Sequence, residues 1–246
     1  MIGIIGGTGL TQFDNLEIIR RQIVRTPYGD ASQPLIFGYL GGVEVVFLAR
    51  HGGGHKIPPH AINYRANIWA LHSVGVESLL AVATVGGINQ SLNPGDIVLP
   101  HQIIDYTYGR ENSYHDGIER PVMHIDFTQP YTSSLRDLCK KAAANIQQNL
   151  YDGGIYACVQ GPRLETAAEI NRHERDGATI IGMTGMPEAA LARELGLEYA
   201  ALCPVANHAA GRGESTENIS YETMLKQLGI TMEKVRLLIK ETVKIY

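Results

Sequence analysis

The chain has 246 residues, 44% of them hydrophobic and 19% charged, with a net charge of -4. That length suits one large α/β domain over residues 1–246 with a substantial core, since no proline- or serine-rich linker or charge run divides it. The charge balance leaves no basic footprint for nucleic acid or a membrane surface, so a small molecule is the expected partner.

Met1 to Ile5 is a short apolar run ending in Gly6-Gly7-Thr8-Gly9, a first strand feeding a glycine turn. It has no basic leader, and the glycines break it at once, which argues against a signal peptide or membrane span and for a soluble, cytoplasmic protein. The turn is not a dinucleotide fingerprint, because Gln12 stands where a glycine belongs and no Walker lysine follows. It remains a loop whose amides and Thr8 hydroxyl can approach an oxyanion.

Leu35 to Tyr39 and Val43 to Ala49 read as a hairpin around Gly41-Gly42. The second strand runs into Arg50-His51-Gly52-Gly53-Gly54-His55, where a guanidinium beside an imidazole at a strand end suits phosphate. His51, His55 and His60 do not make a zinc site, since three glycines replace the helix and glutamate of H-E-x-x-H. Asn63 to Leu71 is helical, with Tyr64, Ile68 and Leu71 on one face. Ser78 to Val85 reads as one uninterrupted buried parallel strand, ending at a turn that carries Thr84.

Asn93 to Asp96 is a turn and Ile97 to Leu99 a strand. Residues 101–128 are polar, rich in Tyr and His and without period, an ordered excursion near a site or a subunit contact. Leu135 to Leu150 is amphipathic helix. Gly154 to Gln160 is strand, followed by Gly161-Pro162-Arg163-Leu164-Glu165-Thr166 and a helix.

Ile180-Ile181-Gly182-Met183-Thr184-Gly185 is a strand ending in a turn ahead of a helix over Ala189 to Leu195, so the Thr184 amide and hydroxyl can meet an anion at a helix N-terminus. The same stretch is also compatible with a plain strand–helix connection. Tyr199 to Ala206 is strand delivering Asn207-His208, and Met224 to the C-terminus is helix. Cys139, Cys158 and Cys203 are odd in number without C-x-x-C spacing, which fits reduced, structural thiols. The fold class expected from this alternation is α/β, with a mixed, mainly parallel twisted sheet flanked by helices and function gathered at the strand C-termini.

Ile4-Ile5-Gly6-Gly7-Thr8-Gly9-Leu10, Ala49-Arg50-His51-Gly52, Asn63-Tyr64-Arg65-Ala66-Asn67, Pro94-Gly95-Asp96, Gly161-Pro162-Arg163, and Met183-Thr184 with Pro187-Glu188 span nearly the whole chain. In this order they resemble the trimeric nucleoside phosphorylase family, which includes 5'-methylthioadenosine phosphorylase and the low-molecular-weight purine nucleoside phosphorylases. The resemblance implies cleavage of an N-glycosidic bond by inorganic phosphate, with no metal or organic cofactor. Thr8, Arg50, His51, Ala83, Thr84 and Thr184 map to the phosphate positions, and Met183 maps to the ribose face.

The family's adenine-handling members carry two aspartates where this chain has Asn207 and Ala209, and a serine where it has Glu165. An amide at 207 can donate to O6 of a 6-oxopurine and accept a proton arriving on N7, and a carboxylate at 165 can accept N1–H. Taken without the family register, Glu165 is better read as a helix N-terminal carboxylate and Asn207 as a turn residue. Tyr221 aligns near the sugar's 5' end, and His124 matches a histidine that the methylthioadenosine branch contributes across a trimer interface. The combination implies a homotrimer with a methylthio-type scaffold and a 6-oxopurine pocket, releasing hypoxanthine and S-methyl-5-thio-ribose 1-phosphate. Methylthioadenosine, inosine and guanosine are the rival substrates, and a non-catalytic nucleotide-binding module is the rival class.

Overall fold

The structure is a computed structural model that describes the chain apart from Thr11, Gln12, Asp14, Asn15, Asp116, Glu119 and Ser220, and for Tyr221 the backbone alone. Ile2–Gly6 (β1) is buried at every position, as a strand covered on both faces must be. Glu17–Gln22 (β2) is an exposed edge strand, and Leu35–Leu40 (β3) and Val43–Ala49 (β4) form the expected hairpin. Its two-residue turn works because Gly41 and Gly42 both take positive φ, 60° and 85°.

Tyr64–Ser73 (α1) starts at Asn63, whose side chain accepts from the Ala66 amide, and buries Tyr64, Ile68 and Leu71 as its spacing requires. The apolar run after it does not form one strand. Ser78–Val82 (β5) stops, Ala83 and Thr84 leave the ladder, and Val85–Gly87 (β6) resumes beside other partners. Ile97–Leu99 (β7) and Gln102–Asp105 (β8) follow, then Ser133–Asn145 (α2), Ile155–Cys158 (β9) and Ala167–Arg175 (α3). Ile180–Gly182 (β10), Glu188–Glu194 (α4), Glu198–His208 (β11) and Tyr221–Ile245 (α5) complete the chain.

Among the described residues the main sheet runs β8-β9-β10-β6-β11-β5-β1-β4-β3-β2, with β7 attached to β11. Contacts around β1 and β5 are parallel, whereas β2–β3–β4, β6–β10 and β7–β11 are antiparallel, which gives the mixed, mainly parallel sheet expected. One apolar layer packs α1 and α4 against the sheet, and a second packs α2 and α5 against the other face. The long β11 pairs with β5 through Leu202 and with β6 through Val205, Asn207 and His208, with a register shift between Val205 and Asn207. That handover explains the break at Ala83-Thr84 and opens the sheet where the cavity lies.

Candidate active site

Where parallel strands end, their backbones turn away from the ladder and leave side chains free to face a ligand. Here β1 delivers Gly7 and Thr8, β4 Arg50 and His51, β5 Ala83 and Thr84, and β10 Met183 and Thr184. The loop after β9 delivers Glu165, and the end of β11 delivers Asn207 and Ala209. All of them line one cavity of about 530 Å³. The backbone is drawn tight at its inner wall: a Cβ on Gly7 would lie 2.5 Å from the Val82 carbonyl oxygen and 2.8 Å from Arg50 Nη1. Only glycine permits that approach.

Arg50 is 1% exposed, and the side fork of its guanidinium is not turned to the cavity. Nε donates to Glu188 Oε2 at 2.8 Å and Nη2 to Oε1 at 2.7 Å, while Nη1 donates to the Val82 carbonyl at 2.6 Å. Tyr199 donates its hydroxyl to the same Glu188 carboxylate at 2.8 Å. Burial opposes the arginine's charge, but the Glu188 carboxylate, by charge and hydrogen bond together, more than offsets this, so its pKa is raised. The expectation that the Arg50 guanidinium is turned to phosphate is therefore corrected. Three of five N–H groups are committed inside the protein, and an anion meets only the remainder.

His51 needs a similar correction. Its Nδ1 lies 2.8 Å from the Ile57 carbonyl, which can only accept, so Nδ1 carries the proton. Burial, and then the Arg50 charge, bring its pKa down to about 4. At neutral pH it presents an acceptor, Nε2, suited to a protonated phosphate oxygen or a sugar hydroxyl rather than a cation for phosphate. The helix-terminus argument for Thr184 fails as well. The α4 helix begins at Glu188, and the Thr184 amide donates to the Tyr156 hydroxyl at 3.3 Å. What faces the cavity is thus a set of threonines, with the Thr84 hydroxyl donating to the Thr8 carbonyl at 3.0 Å and tying two of the turns together.

At the other end, Glu165 is not the helix carboxylate. Thr166 caps α3 and Glu169 closes a reciprocal capping box with it, so the helix end is satisfied one residue on. Glu165 makes no hydrogen bond to another described residue's side chain, and burial raises its pKa. Asn207 Nδ2 donates to the His208 carbonyl at 2.6 Å, which fixes the amide's orientation because that partner cannot donate. Oδ1 and one N–H remain for a ligand. Across from them Met183 packs over Gly161, where φ is 64° and any Cβ would collide with the sulfur.

One expected position is not in this cavity. His124 is exposed on the surface of its own chain, outside the cavity lining. The side chain of Tyr221 lies outside the described residues. The sequence reading missed Glu188 as a partner, and also the contributions of Ile181, Leu164 and Met224 to the cavity wall. A lone carboxylate opening the apolar helix Glu188–Glu194 was the available signal for Glu188. Among the described residues no three His, Cys, Asp or Glu side chains gather as a metal site, and no helix is long and apolar enough to cross a membrane.

Glu165→Gln is expected to lower turnover of 6-oxopurine nucleosides and to stabilise the fold at neutral pH. A carboxyl whose folded pKa is raised contributes its stability fully below the unfolded pKa and loses it as the pH rises through the folded one. Wild type should therefore gain on the variant as the pH is lowered from neutral into the acid range. Denaturant midpoints at both ends of that range, with initial rates alongside, check this. Equal midpoints and equal rates would return Glu165 to a passive role.

A strand-end cavity lined by threonines together with an amide and a carboxylate can receive a small polar ligand, as a transferase site must. Residues 1–244 match the phosphorylase superfamily, and the chain belongs to that family. It is 51% identical to a probable S-methyl-5'-thioinosine phosphorylase of Pseudomonas syringae pv. tomato, over 95% of this chain and 94% of that one. It is 47% identical to a 6-oxopurine nucleoside phosphorylase of Pyrococcus furiosus, over 85% and 80% of the two chains. Among solved structures, methylthioadenosine phosphorylase from Schistosoma mansoni in complex with adenine superposes with a TM-score of 0.93 at 34% identity, covering 99% of this chain and 91% of that one.

Proposed function

We propose that this protein phosphorolyses S-methyl-5'-thioinosine to hypoxanthine and S-methyl-5-thio-ribose 1-phosphate. The observation that carries this reading is the pairing of Glu165 with Asn207 on one cavity, both with free hydrogen-bonding capacity. Hypoxanthine offers N1–H to the carboxylate and O6 to the amide N–H, and its N7 takes up a proton as the bond breaks, facing Oδ1. The probable methylthioinosine phosphorylases at about half identity support the same base and the same 5' group. The methylthioadenosine enzyme shares the scaffold.

In this reading phosphate sits among Thr8, Thr84, Thr184, Ala83, the residual Arg50 donors and His51, with Met183 against the ribose. Phosphate attacks the anomeric carbon as the glycosidic bond lengthens, and the site works by orienting the anion and stabilising charge on the departing base. Inorganic phosphate is a co-substrate, and no metal or organic cofactor takes part. The working form is a cytoplasmic homotrimer in which His124, exposed on its own chain beside exposed Val122 and Met123, reaches a neighbour's cavity, with Tyr221 near the 5' end.

Purified protein given methylthioinosine, methylthioadenosine and inosine in parallel, with and without phosphate, is expected to release hypoxanthine chiefly from the first and only with phosphate. Preference for methylthioadenosine would overturn the base assignment and preference for inosine the 5' assignment. Light scattering on the same preparation reads three chains per particle; a monomer would remove His124 from the site.

A further inference from the structure

Arg110 belongs to no motif and does not line the cavity, yet it makes more polar contacts than any group that does. Nη1 donates to the carbonyls of Met183 at 2.9 Å and Met186 at 2.5 Å and to the Tyr64 hydroxyl at 3.2 Å. Nη2 donates to the carbonyls of Val159 at 3.3 Å and Gln160 at 3.0 Å, and Nε to Gln160 Oε1 at 3.1 Å.

The position of those carbonyls gives the contacts their meaning. The β9–β10 ladder ends at Cys158 opposite Gly182, with one last bond from the Val159 amide to the Gly182 carbonyl. Beyond it the chains diverge, one into 161–165 with Glu165, the other into 183–187 with Met183 and Thr184. The wedge between them exposes carbonyls with no strand to pair with, and buried acceptors must find donors. Arg110 fills it from the 106–114 segment, itself held by Tyr108 N–H on Gln160 Oε1 and by Ser113 and the Tyr114 amide on Glu194. Only a planar, donor-only group with a fork at each edge satisfies both sides at once; a lysine concentrates its donors at one point.

We propose that Arg110 is a positioning residue for phosphorolysis: it sets the separation of the base loop at Glu165 from the turn carrying Met183 and Thr184. This rests on the nucleoside phosphorylase reading above. Misplacing one side of such a site by an ångström costs on the order of a hundredfold in rate.

The test compares wild type, Arg110→Lys and Arg110→Ala in turnover of methylthioinosine and, by calorimetry, in separate binding of hypoxanthine and inorganic phosphate. The lysine variant is expected to melt close to wild type, to lose on the order of a hundredfold in kcat, and to show raised KM for both substrates together. Guanidinium ion at subdenaturing concentration is expected to restore part of the alanine variant's loss and nothing in wild type. Should the alanine variant not fold, the lysine variant decides.

The proposal is overturned if Arg110→Lys keeps wild-type constants, if activity falls only with the folded fraction while both KM values hold, or if guanidinium leaves a folded Arg110→Ala unchanged. Binding weakened in Arg110→Lys while wild type turns over no nucleoside would sustain the clamp and sink the substrate reading.

Discussion

Replacing Glu188 with alanine is expected to cost the fold about 3–5 kcal/mol, the penalty for stranding one partner of a buried ion pair. Arg50 and Glu188 are each 1% exposed, and among the described residues Arg50 has no other carboxylate within hydrogen-bonding distance. Alanine leaves a desolvated guanidinium, and it also strips the Tyr199 hydroxyl of its acceptor. Phosphate should then take over part of the lost role if it binds as proposed, because Arg50 lines the same cavity. Denaturant midpoints with and without phosphate should therefore separate more in Glu188→Ala than in wild type, by linkage to ligand binding. Replacing both partners with apolar residues of similar size should recover most of the stability while abolishing the extra phosphate response. A single-variant loss below about 1 kcal/mol, the range of an exposed pair, would show that the pair is solvated in solution.

The same pair illustrates which parts of the molecule sequence patterning reaches. The strands β1 and β4 and the Gly41-Gly42 hairpin were legible because burial on both faces writes continuous apolar runs and positive φ demands glycine. Glu17–Gln22 was not, because an edge strand with every side chain near solvent carries no alternation. The break at Ala83-Thr84 leaves no mark in Ala-Val-Ala-Thr-Val either, since it is imposed by the exchange of partners along Glu198–His208.

For the site, strand-end position pointed to seven of the residues that line the cavity, Thr8, Arg50, His51, Thr84, Glu165, Thr184 and Asn207, and the family resemblance added Ala83, Met183 and Ala209. What position could not convey was how donors are spent. Whether Arg50 faces an anion or Glu188, and whether Glu165 or Glu169 serves the helix, depends on contacts across 138 residues in one case and three in the other. Arg110 was hidden for the same reason: four of its six partners are backbone carbonyls, and any sequence supplies those.

Asn207→Asp is expected to lower the ratio of kcat/KM for methylthioinosine over methylthioadenosine by about a hundredfold, the upper range for leaving one hydrogen-bonding group unpaired at about 1–3 kcal/mol. In wild type the amide is fixed by its donation to the His208 carbonyl, which leaves the other N–H for O6 and the oxygen for N7 in the proposed complex. A carboxylate cannot donate to His208. It must turn from that carbonyl or take up a proton, and in its ionised form it sets an anion against O6 while offering an acceptor to an adenine amino group. Because Ala209 lines the same cavity with only a methyl group, the adjoining wall supplies no second carboxylate. Adenine turnover should therefore rise less than oxopurine turnover falls, and adding Ala209→Asp should close part of that gap. Parallel initial rates on the two nucleosides measure the ratio. If it does not move, the base is read through N1–H at Glu165 alone, and Asn207 serves only to hold the strand end at His208.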